Sequence, residues 1–382
     1  MNGPPFATQP ALSVLHSTGR ARLRHWCCEF DEGLDDVKGT GSAIYAVPMP
    51  ESPLPSPSAA MAPADSIPGP DASPVSASGF ANGRVRVATD ARPGDDGEVR
   101  LFWILADPEQ GPGVPLLLVN GLGSPLVAYE AGFVTELLNR GFSVLRFDNR
   151  DVGRSGRIVE EPVCKAPPYT LADLAADAVA VLDAAGWASA HVLGQSMGGM
   201  IVQQMAINHP HRLRSLTSLM STTGERGYGQ PTDEAYPALI KPAPRDRAGW
   251  LDNRVETEKI WASPGSWDVD AARAKGELLY DYGIDVDGTG RQFRAIMASG
   301  SRDEALADVT VPTLVVHGDA DTLIQPDGGR HTADVIPGAR YLEIEGFGHD
   351  LPREFWPLLA DIVAEFVEAS PKESPRPPKE LS

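Results

Sequence analysis

The chain has 382 residues, 42% of them hydrophobic, with 33 Lys and Arg against 52 Asp and Glu and a formal net charge of -19. That length and apolar content allow one large buried core. The negative balance and the scatter of the basic residues exclude an electrostatic nucleic-acid binder, and no apolar run approaches the ~18 residues of a membrane span.

Residues 1–82 read as a disordered tail. Nine prolines fall between Pro48 and Pro74 among Ser and Ala, a composition that cannot bury enough surface to offset its ordering entropy. Within it, Ala11–Leu15 is too short for the apolar segment of a secretion signal, and Met61 offers an internal start. From Glu98 the chain alternates. Strands are expected at Glu98–Leu105, Val114–Val119 and Phe142–Phe147, with a helix-like stretch at Leu126–Arg140. A helix over Leu171–Ala185 carries Leu171, Leu174, Ala178 and Leu182 on one face, and Gly186 stops it. Ala190–Leu193 is a short strand, Met197, Met200, Ile201 and Met205 mark the next helix, and Leu213–Met220 is another strand.

The alternation breaks between Ser221 and Leu306, where helix-like pieces rich in Trp and Tyr replace strands. It resumes with a strand at Thr313–Val316, a helix at Gly328–Val335, a strand at Arg340–Ile344 and a final amphipathic helix containing Leu351, Phe355, Leu359, Val363 and Phe366. Repeated strand–helix alternation implies an α/β fold with a mostly parallel, doubly wound sheet. The expected organisation is a core at 83–220 and 307–369, a helical cap at 221–306 inserted after the sixth strand, and a second disordered tail at 370–382, which holds four prolines.

Chemistry concentrates at Gly194-Gln195-Ser196-Met197-Gly198, a G-x-S-x-G sequence between a strand and a helix. A serine hydroxyl needs a base to become a nucleophile. A tight strand-to-helix turn lifts it from the sheet and aims the first helical N–H groups at a developing oxyanion. Of the eight histidines, His349 follows a strand through Glu345-Gly346-Phe347-Gly348, a loop able to hold an imidazole over the sheet, so it is the expected base. Asp321, deep in the loop after Val315-Val316-His317-Gly318, is the expected orienting acid, with Asp319 capping the turn. The order is then Ser196, Asp321, His349. Backbone N–H groups of Met197 and of Leu122, in Asn120-Gly121-Leu122-Gly123, are the expected oxyanion donors.

Together with Phe147-Asp-Asn-Arg-Asp-Val-Gly-Arg-Ser155, these segments resemble the capped α/β-hydrolases. More narrowly they resemble the subgroup that includes aclacinomycin methylesterase-like enzymes. The likeness spans roughly residues 84–368 and departs at Asn120, where many relatives carry His. It implies hydrolysis of a carboxylic ester of a small or medium-sized molecule through an acyl-enzyme, with no cofactor and no metal. The expected substrate pocket includes Gly121, Gln195, Trp250, Trp261 and Phe347, with the Met197 side chain on its floor. Asp148, Arg150 and Arg154 read as a salt-bridged loop brace.

Other readings of the same residues are a proline iminopeptidase-like aminopeptidase, gripping an amine through Asp252, Glu256 or Glu258, and a cofactor-free perhydrolase. From a different class, a non-catalytic small-ligand receptor would use the capped pocket. Cys27, Cys28 and Cys164 are odd in number and irregular in spacing, which argues against a disulfide framework or zinc site and fits reduced cytoplasmic thiols. No nucleic-acid or membrane partner is expected, and the oligomeric state stays open.

Overall fold

The computed structural model describes residues 98–158 and 167–372, and the backbone alone of 44–47 and 80–88. Met61, the three cysteines and most of both expected tails lie outside the described residues. The strands are β1 (Ile44–Val47), β2 (Phe80–Ala88), β3 (Glu98–Ala106), β4 (Val114–Val119), β5 (Phe142–Phe147), β6 (Ala190–Gln195), β7 (Leu213–Leu219), β8 (Thr313–Gly318) and β9 (Arg340–Ile344). They form one sheet in the order β1-β9-β8-β7-β6-β4-β5-β3-β2. The β3–β5 and β2–β3 pairs are antiparallel and all others parallel. Ile44–Val47, within the stretch read as tail, pairs with β9.

The sheet is covered on both faces, which is why its central strands read as continuous apolar runs. Leu117, Val119, Leu145 and Phe147 pack with helices α2 (Leu171–Ala184) and α3 (Met197–Asn208). Their neighbours Leu116, Leu118, Phe142 and Val144 point the other way, onto α1 (Ala131–Asn139) and α10 (Trp356–Ala369). Period-2 alternation thus divides each strand between two cores, and each fully buried Leu or Phe stabilises the fold by about 1.5–3 kcal/mol. Helix α2 begins where Asp173 accepts the N–H and O–H of Thr170, and it ends before Gly186 at φ +74°. Three strands run past their expected ends: Ala106 pairs with Val144, His317 and Gly318 with Glu343 and Ile344, and Gln195 with Leu219.

Five helices separate β7 from β8, and β7 is the sixth strand counted from β2: α4 (Ala235–Ile240), α5 (Arg247–Trp261), α6 (Val269–Gly283), α7 (Val286–Ser299) and α8 (Asp303–Leu306). Three of them start at an aspartate whose carboxylate accepts an N–H of the first turn: Asp246 from Gly249, Asp268 from Ala271 and Asp285 from Gly288. Such a cap is worth about 1 kcal/mol. Trp250, Leu251 and Leu279 join this insertion to Phe102 and Ile104 of β3 and to Leu126 and Val127. Helix α9 (Pro326–Val335) returns the chain to β9.

Candidate active site

Strand β6 ends at Gln195 and α3 begins at Met197, so Ser196 alone makes the turn, at φ 56° and ψ -121°. A side chain held at positive φ costs on the order of 1–3 kcal/mol and persists only where its surroundings over-determine it. They do so here. Ser196 N–H donates to Leu219 O at 2.9 Å, and its carbonyl accepts the Ser221 hydroxyl at 2.8 Å. A methyl group at Gly194 would lie 2.1 Å from Gly198 O, and one at Gly198 would lie 2.0 Å from Val119 O. The pentapeptide therefore needs glycine at both positions for close backbone approach.

His349 Nε2 lies 3.0 Å from Ser196 Oγ, and its Nδ1 lies 2.6 Å from Asp321 Oδ2. With the proton on Nδ1 donated to Asp321, Nε2 is left to accept the serine proton. The other Asp321 oxygen accepts the N–H groups of Leu323 and Ile324, both at 2.9 Å. Burial pushes the Asp321 carboxyl up, but His349 beside it and the hydrogen bonds from His317 and His349 outweigh that and hold it at about 2. His317, fully buried, places Nε2 2.8 Å from Ile324 O and 3.3 Å from Asp321 Oδ2. Asp319 is engaged elsewhere, accepting Gly346 N–H at 2.7 Å.

Met197 occupies the first helical position, where an N–H has no partner within the helix, while its side chain is buried in the core rather than on the pocket floor. Leu122 sits in a turn closed by Ser124 N–H to Gly121 O at 3.2 Å. This turn lies against Ser196: a methyl at Gly121 would be 3.2 Å from Ser196 Cβ. Gly121, Leu122, Gln195 and Trp261 line, with Ser196 and His349, a cavity of about 190 Å³. Trp250 and Phe347 do not. Trp250 is buried between the insertion and β3, tilted onto Tyr280, and Phe347 packs against Phe355 in the core under α10. Both rings are buried in cores rather than turned to the cavity, with the Arg254 guanidinium lying over Trp250.

The insertion contributes lining that sequence reasoning did not assign, Leu239, Arg254, Thr257 and Lys275, together with Glu258, one of the three acids considered for gripping an amine. Arg254 pairs with Glu258 at 3.0 Å and Lys275 with Glu130 at 3.5 Å. Asp252 bridges Arg273 on the surface, and Glu256 is exposed. The insertion also holds the histidine loop. His349 N–H donates to Trp261 O at 2.6 Å, Gly348 N–H to Ser263 Oγ at 2.8 Å, and Ser263 donates through N–H and O–H to Asp350 at 2.9 and 2.6 Å. The position of Asp350, beside His349, was the only sequence signal for this clasp; Ser263 carries none.

In the loop after β5, Asp148 accepts N–H bonds from Leu126 and Arg154 and the Tyr282 hydroxyl. Burial raises its carboxyl to about 6, moderated by those donors and by Arg157. Arg150 forms a two-pronged buried pair with Asp177, both bonds 2.6 Å. The Arg154 guanidinium lies over the rings of Phe102 and Tyr282. Among the described residues no group of three His, Cys, Asp or Glu is arranged to hold a metal ion, and no helix is long and apolar enough to cross a membrane.

Comparison with known proteins adds to this geometry. The family described by the alpha/beta hydrolase fold matches residues 114–274. Rhodomycin D methylesterase of Streptomyces peucetius is 33% identical over 291 residues, 70% of this chain and 94% of that protein. The rhodomycin D methylesterase of Streptomyces sp. (strain C5) is 33% identical over 277 residues, 67% of this chain and 91% of its own. The crystal structure of a hydrolase from Pseudomonas aeruginosa PA01 shares 26% identity at a TM-score of 0.55, covering 74% of this chain and 98% of that one.

Proposed function

The chain belongs to the α/β-hydrolase family, and from that premise we propose that it hydrolyses a carboxylic ester of a small or medium-sized molecule through an acyl-enzyme on Ser196. The observation that carries the proposal is the unbroken chain Ser196 Oγ, His349 Nε2, His349 Nδ1, Asp321 Oδ2, with contacts of 3.0 and 2.6 Å. As Ser196 Oγ attacks the carbonyl carbon, His349 Nε2 takes its proton. Asp321 keeps the ring in the required tautomer and stabilises the imidazolium. The Met197 and Leu122 N–H groups receive the oxyanion. The C–O bond to the alcohol breaks as His349 returns the proton to the leaving oxygen. Water then attacks the acyl-enzyme by the same steps, releasing the acid and Ser196.

The methylesterase relatives support an ester, and a methyl ester of a bulky acid belongs in the first substrate panel. The pocket charges do not favour an aminopeptidase. Of the three acids considered, only Glu258 lines the cavity, and it faces the Arg254 guanidinium at 3.0 Å; Asp252 pairs with Arg273 on the surface and Glu256 is exposed. The reading includes a cytoplasmic location, supported by the three irregular cysteines. The test is hydrolysis of p-nitrophenyl esters from acetate to decanoate, and of methyl esters of bulky acids, by wild type and Ser196→Ala, with fluorophosphonate labelling. Turnover and labelling by the wild type, both lost in Ser196→Ala, are expected. Folded wild-type protein that neither turns over an ester nor takes the label would overturn the proposal.

A further inference from the structure

Gln292, on α7 of the insertion, is fully buried. Its Oε1 accepts the N–H of Gly123 at 2.8 Å, and its Nε2 donates to the carbonyl of Arg150 at 2.8 Å. One side chain thus ties the loop after β4 to the loop after β5, from a helix that belongs to neither. The two partners also define the residue type. A backbone N–H requires an acceptor and a backbone carbonyl requires a donor, so a primary amide in one orientation satisfies both. A carboxylate would meet the Arg150 carbonyl with an acceptor, and an apolar side chain would leave two buried backbone groups unpaired.

The bonded N–H lies in the turn that carries the expected oxyanion donor. In the turn Gly121–Ser124, Gly123 has φ +64°, a conformation open to glycine. The Leu122 N–H belongs to the peptide plane before the Leu122 Cα, and the Gly123 N–H to the plane after it. Gln292 holds the later plane by its N–H, so the plane carrying the Leu122 N–H hinges on a Cα that is fixed from α7. Thr289, three residues earlier on α7, closes the other side: a methyl at Gly123 would lie 2.5 Å from Thr289 Oγ1. The inner side of the turn rests on Ser196 through Gly121.

Resting on the ester-hydrolase reading above, we infer that Gln292 is a positioning residue: it sets the Leu122 N–H for the oxyanion through Gly123, so that seating of α7 completes the oxyanion hole. The inference separates two roles for the insertion. Besides walling the pocket, it finishes a catalytic element of the sheet half. Loss of the contact lets the turn sample orientations in which Leu122 N–H does not face the oxyanion, which weakens transition-state binding and leaves ground-state binding intact.

The experiment compares wild type with Gln292→Met, close in shape but unable to bond, and with Gln292→Asn, which keeps a polar amide one methylene short of Gly123. Circular dichroism and thermal melts establish that each is folded, and Gln292→Asn carries the test if the Met variant does not fold. On p-nitrophenyl acetate we expect kcat to fall about tenfold to a hundredfold, less than the 10²–10³-fold loss of a whole oxyanion donor, with KM within about twofold. A trifluoromethyl ketone, which adds to Ser196 and carries an oxyanion, should lose affinity in parallel with kcat/KM, while the product acid should bind unchanged. Folded variants with unchanged kcat and unchanged ketone affinity overturn the inference, as does a loss confined to KM. A folded wild type that neither turns over an ester nor takes the fluorophosphonate overturns the ester-hydrolase reading and this inference with it. A labelled wild type beside unchanged variants overturns this inference alone.

Discussion

In the sheet half of the molecule, every residue of β5 and β8 is buried, as are all but the first two of β4 and the last of β6. In the insertion, the 15 residues of α5 bury only Trp250 and Leu251, and the 15 of α6 only Ala272, Gly276 and Leu279. Its helices are laced instead by exposed pairs such as Arg245–Asp287, Arg247–Asp281 and Arg273–Asp252. Close-packed interiors resist displacement, whereas exposed ion pairs contribute about 0–1 kcal/mol and yield to salt. The contrast assigns the two halves different tasks. Ser196, Asp321 and His349 hang from strand ends in the dense half, where sub-ångström placement is held by packing. The insertion adds Leu239, Arg254, Thr257, Glu258, Trp261 and Lys275 to the cavity lining, from helices that can vary without re-registering the sheet.

The largest effect expected from the dense half is on chemistry. Asp321→Asn should lower kcat by about 10⁴ with little change in KM, because an amide cannot stabilise the imidazolium and can favour the wrong tautomer; steady-state kinetics measure it. A structural partner in the same half should be nearly as sensitive. Arg150→Met leaves the Asp177 carboxylate buried without its cation, a loss of about 3–5 kcal/mol. For a domain of this size that lowers Tm by roughly 10 °C, and a melt comparable to wild type would remove the buried pair from the account of stability.

A pH series probes the same region more gently. The Asp321 carboxyl is held at about 2, below the ordinary value of 3.8, so the native state favours its ionised form. The resulting stability is fully present above about pH 4 and is lost as pH falls toward 2. Urea midpoints of wild type should therefore approach those of Asp321→Asn across that window and stay apart at higher pH. The smallest effect belongs to the insertion's surface. Arg247→Ala removes exposed contacts to Asp281 and Glu277 and should leave Tm within about 1 °C. A drop rivalling that of Arg150→Met would erase the distinction between the halves.

Legibility in the sequence followed the same division. Val114–Val119, Phe142–Phe147 and Arg340–Ile344 begin and end as strands where the apolar pattern and flanking turn residues place them. The elbow, the histidine loop and the aspartate loop were legible because each needs glycine or a short polar residue beside an apolar run. What sequence reading missed depends on contacts between distant segments. The two extra residues of β8 exist through pairing with β9. Trp250 and Phe347 share the composition of a pocket wall, but which way an aromatic ring faces is decided by the neighbours that fold around it. Ser263 and Gln292 reach partners 85 and 169 residues away, and no local pattern marks a polar residue for such a bond.

One feature of the topology bears on how such a protein could be rebuilt. The insertion leaves the sheet at the end of β7 and returns at the start of β8, and these strands are direct neighbours, with Leu219 opposite Val316. Both junctions thus belong to adjacent strands of one rigid sheet; because the strands are parallel, the re-entry at Thr313 stands opposite Leu216, three residues or about 10 Å back along β7 from the exit. A segment bounded that way is a transplantable cassette, exchangeable between relatives without re-registering a strand. The exchange would succeed only if the incoming cassette brought its own equivalents of the Gln292 amide and the Trp261 carbonyl. Together with the Ser263 hydroxyl that accepts the Gly348 N–H, those groups are the fittings that any substitute must match.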